Sequence, residues 1–145
     1  MDRKKSRKEL LAWAVQQCRD HGLRRTKAME EVLRALIERD QPLTLADLVD
    51  ALGDLCDKAT VYRLLIRLED HGIIRRLGLH ERSAYFTMRY PDRHDDYLIC
   101  KECGKIDSID IACPVEKIEK EISANSGFTN LYHELEFFGV CPKCA

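Results

Sequence analysis

The sequence predicts an α+β protein in two parts: four short helices and a hairpin, then a smaller α/β unit built around cysteines. Three observations carry this. Apolar residues at helical spacing give way after Gly72 to short runs at strand spacing. Cys-x-x-Cys occurs twice, as Cys100/Cys103 and Cys141/Cys144, with 37 residues between the pairs. Charge is also divided, with 18 Lys+Arg against 14 Asp+Glu in residues 1–89 (a balance of +4) and 6 against 11 in residues 90–145 (a balance of −5). A basic half suits a polyanion such as nucleic acid, and an acidic, cysteine-rich half suits cations.

A chain of 145 residues with 45% hydrophobic content is long enough for one domain or two small ones, each with a core. No stretch approaches the roughly 18 to 20 consecutive apolar residues of a membrane span. The start, MDRKKSRKELLAWAVQQC, is basic and then amphipathic rather than basic and then apolar, so the expectation is a cytoplasmic protein. Seven cysteines is an odd number, and in a reducing compartment Cys-x-x-Cys points to metal or redox chemistry before structural disulfides.

The elements follow in order. Leu10, Leu11, Ala14, Val15 and Cys18 form a helical stripe ended by Gly22, and Met29, Val32, Leu33, Leu36 and Ile37 form a second, ended by Asp40-Gln41-Pro42. Thr44 and Asp47 match a capping box ahead of Leu45, Leu48, Val49 and Leu52. Asp57 caps a fourth helix, KATVYRLLIRLEDHG, whose Val61, Leu64, Leu65 and Leu68 face inward and which Gly72 ends. Residues 73–77 and 83–87 then read as two strands joined through Gly78 to Arg82. Helix, short helix, helix and hairpin is the order of a winged helix-turn-helix, in which the helix before the hairpin enters the DNA major groove. The outward positions of that helix are Lys58, Thr60, Tyr62, Arg63 and Arg67, which offer cations to phosphates and a ring and hydroxyls to base edges. The alternative is an ordinary solvated helix face.

In the second half, each Cys-x-x-Cys forms a tight turn whose thiolates converge, and four thiolates satisfy a tetrahedral zinc ion. A thioredoxin-like redox site needs a strand-helix context around a single pair, which two pairs flanked by strands do not supply. With no open coordination position, zinc on Cys100, Cys103, Cys141 and Cys144 is expected to be structural. Downstream, Pro114 opens a helix, and NLYHELEFFGV alternates as a strand carrying His133 on the face of Leu131, Leu135 and Phe137. A set of His94, Asp96, Glu116 and His133 would provide two nitrogens and two carboxylates, a mixture suited to a second divalent ion such as Zn2+, Fe2+ or Mn2+.

The succession GLRRTKAMEEVL, LTLADL, KATVYRLLIRLEDHGII, LICKECGKI, SGF and GVCPKC resembles the ferric-uptake-regulator family of metal-responsive repressors, across essentially the whole chain. The resemblance implies a winged-helix DNA-binding domain at 1–88, a hinge at 89–93 and a metal-binding dimerization domain at 94–145. It further implies a homodimer on a palindromic double-stranded operator that represses metal-homeostasis or stress genes, with no enzymatic activity. Tyr62 and Arg63 would touch DNA, and the four cysteines would hold structural zinc. His94, Asp96, Glu116 and His133 fall where family members carry a second site formed by a His-x-Asp pair, a Glu and a His.

One family feature is missing. The usual sensing site at the hinge joins a His of the DNA-binding domain, an acidic residue on the wing and two His of a His-x-His run. Those positions read Pro42, Phe86, Asp95 and Tyr97 here, and only Asp95 is a ligand type. His80, in the wing turn, is a candidate replacement beside its plainer reading as an exposed turn residue. Of the remaining cysteines, Cys18 reads as a small buried hydrophobe. Cys56 and Cys113 each precede a helix, whose N-terminus lowers a thiol pKa.

The expected mechanism is a population shift in which metal binds the DNA-competent arrangement more tightly. Two rivals stand beside it: a metal-independent DNA-binding protein with only structural zinc, and a metal-dependent hydrolase using the His94-Asp95-Asp96 run. The hydrolase lacks a Gly-rich phosphate loop or nucleophile motif.

Overall fold

The structure is a computed structural model that describes residues 5–78, 84–90, 95–109 and 111–145. The chain divides into two compact units, Met1–Asp92 and Arg93–Ala145. His80, His94 and most of the expected hinge lie outside the described residues.

The first unit contains α1 (Arg7–Asp20), α2 (Lys27–Arg39), β1 (Leu43–Thr44), α3 (Leu45–Leu52), a 3-10 turn at Gly53–Leu55, α4 (Lys58–Asp70), β2 (Ile74–Leu77) and β3 (Tyr85–Met88). Each α-helix starts at a side chain that accepts from a backbone N–H otherwise lacking a partner: Ser6 from Glu9, Thr26 from Met29, Thr44 from Asp47 and Asp57 from Thr60. At Thr44 the capping box is complete, with Asp47 accepting in return from the Thr44 N–H at 2.9 Å. α1 and α4 end alike. After α4, Gly72 takes φ +71, its N–H donates to the Glu69 carbonyl, and the Ile73 N–H donates to the Leu68 carbonyl. This is a Schellman end, and it turns Ile73 into the core.

The core gathers the inward stripes of all four helices and the apolar face of the hairpin, with Val32, Leu33, Leu48, Val61, Leu65 and Ile74 fully buried. Truncating one of these, such as Leu65, costs about 2–5 kcal/mol. The sheet has the order β1-β3-β2, all antiparallel, with Leu43 opposite Phe86 and Arg76 opposite Phe86 on its other side. The short strand β1 goes beyond the sequence expectation of a two-stranded hairpin. It ties the start of α3 directly to the wing.

The second unit has β4 (Tyr97–Cys100), β5 (Ile106–Ser108), α5 (Glu116–Ser126) and β6 (Glu136–Gly139). β4 is central, antiparallel to β5 and parallel to β6, with Cys100 paired to Gly139. α5 follows Pro114 and ends at Gly127, φ +77. Its apolar residues stay exposed, Ile118 and Ile122 at 50% each. Among the described residues, no helix is long and apolar enough to cross a membrane.

The strand expected to carry His133 begins only at Glu136. Residues 131 to 135 keep the expected in-out alternation of burial but have no ladder, being linked to β4 through the Tyr97 N–H donating to the Leu135 carbonyl. Alternating burial is a property of any extended segment, whereas a strand also needs a neighbour to bond.

Candidate functional site

In the first unit the candidate surface is α4. Val61, Leu65 and Leu68 hold one side of the helix in the core, which leaves Lys58, Tyr62, Arg63 and Arg67 exposed and Thr60 half-buried on the other. The Arg63 guanidinium donates to the Thr60 hydroxyl at 3.4 Å, and the Thr60 N–H donates to Asp57 at 2.8 Å, so the first turn is tied down. The bonds from Thr60 hold the Asp57 carboxyl below its usual value of 3.8, and nearby Arg63 adds to this. From the wing, Arg76 approaches the same helix and pairs with Glu69 at 2.8 Å. The result is a ring and three cations on a helix whose angle is fixed by core and wing, an arrangement suited to a DNA groove.

In the second unit β4 and the turn after it deliver Cys100 and Cys103, and the chain after β6 delivers Cys141 and Cys144, because parallel pairing brings the ends of these strands together. All four sulfurs lie within 4.8 Å of one another. Cys103 and Cys141 Sγ are 3.7 Å apart. Thiolates bound tetrahedrally at about 2.3 Å stand about 3.8 Å apart, so the Cys103–Cys141 pair already has the spacing of two zinc ligands.

Two backbone N–H groups, of Cys103 and Cys141, donate to Cys100 Sγ at 3.5 and 3.3 Å. They pull the Cys100 thiol down to about 6. Hydrogen bonds from Cys144 to the sulfurs of Cys141 and then Cys103 push its thiol up to about 12. Cys100 thus gives up its proton most readily and Cys144 least, its proton being held by the neighbouring sulfurs, and a bound dication favours the thiolate form of all four. Lys105, two residues after Cys103, pairs with Asp107 at 3.3 Å.

Of the second expected set, Asp96, Glu116 and His133 are described, and they do not converge on one point. His133 Nδ1 is bonded to Glu119, not to Glu116. Glu116, at the first position of α5, is 70% exposed and faces Lys120 one turn on. The two glutamates are three residues apart and project to nearly the same side, so spacing alone does not choose between them. The other ring nitrogen, Nε2, lies 3.0 Å from Cys113 Sγ. Asp96 is buried just ahead of β4, and His94 is outside the described residues. Among the described residues the four cysteines are the only group of three or more candidate ligands that converges on one point. Sequence reasoning missed Glu119 altogether and noted Cys113 only as a thiol before a helix.

Cys18 is fully buried, and burial pushes its thiol up to about 11, as a small core hydrophobe requires. Cys56 departs from expectation. Burial and then the Asp57 charge raise its pKa, outweighing any effect of the helix N-terminus, since the capping carboxylate stands next to it.

A sequence model of the Ferric uptake regulator family matches residues 20–138. The ferric uptake regulation protein of Legionella pneumophila is 30% identical over 133 residues, covering 89% of this chain and 96% of its own. Among solved structures, the Helicobacter pylori ferric uptake regulator, described with three functional metal-binding sites, superposes with a TM-score of 0.70 at 24% identity, covering 99% of this chain and 97% of that one. A zinc uptake regulator solved with zinc and DNA superposes with a TM-score of 0.59 at 28% identity, covering 97% and 96%. The four capped helices and wing, the twin Cys-x-x-Cys cluster and these matches agree: this chain belongs to the ferric uptake regulator family.

Proposed function

We propose that this protein is a metal-responsive transcriptional repressor that works in the cytoplasm as a homodimer on a palindromic double-stranded DNA operator. Like its family, it is a regulator and not an enzyme, which sets the hydrolase reading aside. The observation that carries the proposal is the presence in one chain of an exposed cationic helix on a winged frame and a preformed four-thiol metal centre. Lys58, Thr60, Tyr62, Arg63 and Arg67 meet the DNA. Cys100, Cys103, Cys141 and Cys144 hold a structural Zn2+.

The dimer is supported by what the second unit leaves uncovered. α5 has no buried residue, and Phe137, Phe138 and Val140 are about half exposed. An apolar surface of this kind on a small unit calls for a partner, and a second copy supplies it symmetrically.

A second divalent ion, Zn2+, Fe2+ or Mn2+, held around His133 is the signal, with the hinge at residues 89–93 as the element whose populations shift. Such coupling amounts to about 1–3 kcal/mol, or roughly 5- to 150-fold in DNA affinity. The metal-independent reading is favoured by Pro42, Phe86 and Tyr97 standing where the family's hinge ligands are expected. The experiment is selection of preferred duplexes from a random pool, followed by anisotropy titrations at one and at two metal equivalents per chain. A gain on the second equivalent that His133→Ala abolishes supports sensing. Equal affinity at one and two equivalents in both proteins leaves the metal-independent reading standing.

A further inference from the structure

We propose that Cys113 is a ligand of the second metal site, so that its thiolate and His133 Nε2 hold the ion together while Glu119 orients the imidazole from behind. The inference rests on the reading of a second site around His133 and changes its chemistry from nitrogen and oxygen alone to a site containing sulfur.

The geometry of His133 carries it. Its Nδ1 is bonded to the Glu119 carboxylate, which fixes the proton on that nitrogen and leaves the Nε2 lone pair aimed at Cys113 Sγ, 3.0 Å away. The thiol therefore donates S–H to Nε2. Such a pair is the protonated form of a metal-binding pair. When the ion enters, the Cys113 proton leaves to solvent, a metal–sulfur bond replaces the S–H bond, and the Nε2 lone pair turns to the same ion. Zinc bound at about 2.3 Å to sulfur and about 2.0 Å to nitrogen holds those atoms about 3.5 Å apart, so the pair has only to open by about half an ångström. Both residues lie outside helices and strands, Cys113 ahead of α5 and His133 ahead of β6, where such a shift disturbs no ladder.

A carboxylate on the far nitrogen is the usual outer partner of a metal-bound histidine, which gives Glu119 its place. The Cys113–His133–Glu119 group is sheltered without being sealed, with His133 and Glu119 side chains 22% and 27% exposed. Asp96, only 7% exposed, precedes β4, whose first N–H donates to the Leu135 carbonyl two residues after His133. Thiolate softness then selects zinc, and cobalt as its spectroscopic substitute, over manganese.

The test uses the full chain with one zinc kept in the four-cysteine site and Co2+ titrated as the second equivalent, with zinc content followed at every point. The expected spectrum has a sulfur-to-cobalt charge-transfer band that grows with the second equivalent while zinc stays bound. Cys113→Ser removes that band and keeps the d–d bands. It weakens zinc at this site by at least the roughly tenfold that loss of an outer partner causes, with Mn2+ affinity nearly unchanged. A second equivalent with d–d bands but no charge-transfer band in the unmodified protein overturns the role of Cys113 and leaves the second site standing. A band that rises only as zinc is released belongs to the other cluster and also overturns it. Absence of any second equivalent of cobalt, zinc or manganese overturns both readings together.

Discussion

Arg76 of β2 donates from Nε to Glu69 Oε2 of α4 at 2.8 Å, fastening the wing to the helix whose outer face is proposed to meet DNA. The guanidinium also lies 5.4 Å from the centre of the Phe86 ring. Burial works against its charge, but the Glu69 carboxylate and then the Tyr62 hydroxyl outweigh burial and raise its pKa. The pair is neither sealed nor free, with side chains 27% and 30% exposed. Arg76→Ala is therefore expected to destabilise the first unit by about 1–2 kcal/mol, between an exposed and a buried ion pair. The check is the urea midpoint. An unchanged midpoint means the bond is ornamental and the wing is held by its buried apolar residues and its pairing with β1.

Arg63 and Arg67 are exposed one turn apart on α4. If both neutralise phosphates, replacing either with Ala weakens binding about equally for all sequences. It also lowers the slope of log affinity against log salt by about one. Tyr62→Phe should behave differently, keeping the salt slope and altering sequence preference. Slopes that stay at the unmodified value in both arginine variants remove these residues from the interface.

How far the sequence reached depended on whether the determining contact was local. Thr44 with Asp47, and Asp57 with Thr60, are three-residue relationships, and both caps formed as expected. The ends of α1 and α4 at Gly22 and Gly72 were legible for the same reason. The two-residue strand Leu43–Thr44 was not, because it is too short for alternation to show and exists only through its pairing with Tyr85 and Phe86. The cysteine cluster was legible at a distance because its ligand type and spacing are specific, whereas Glu119 was hidden by Glu116 one turn earlier. Which of two acids reaches His133 is decided by how the segment before β6 lies against α5, and no spacing rule encodes that.

Asp57 predicts a pH dependence at the start of α4. Its pKa is depressed in the folded chain by accepting from Thr60, so it stabilises the fold above the ordinary carboxylate value. That contribution disappears as pH falls through the lowered folded value. Asp57→Asn keeps an acceptor for the cap without the charge, and should retain the helix while flattening the acid side of the stability curve. Asp57→Ala should lose both. Acid titrations followed by far-ultraviolet circular dichroism separate the three proteins, and parallel curves for all of them would mean the cap is dispensable.

The zinc cluster predicts an uneven collapse. The first unit has a core that includes Val32, Leu33, Leu48, Leu65 and Ile74, all fully buried. In the second unit Tyr97, Ile99 and Cys100 are the buried apolar residues among those described, too few to order a unit of this size unaided. For such a unit the free energy of metal binding is largely the free energy of folding. Removing zinc, or replacing Cys141 with Ser, should abolish the ladder between β4 and β6 and leave the helical unit melting on its own. Amide hydrogen exchange reads both at once, with protection lost at Tyr97 to Cys100 and retained at Val61 to Leu68. If β4 stays protected after complete zinc removal, a partner copy supplies the missing core, and protection should then fall as the protein is diluted to monomer.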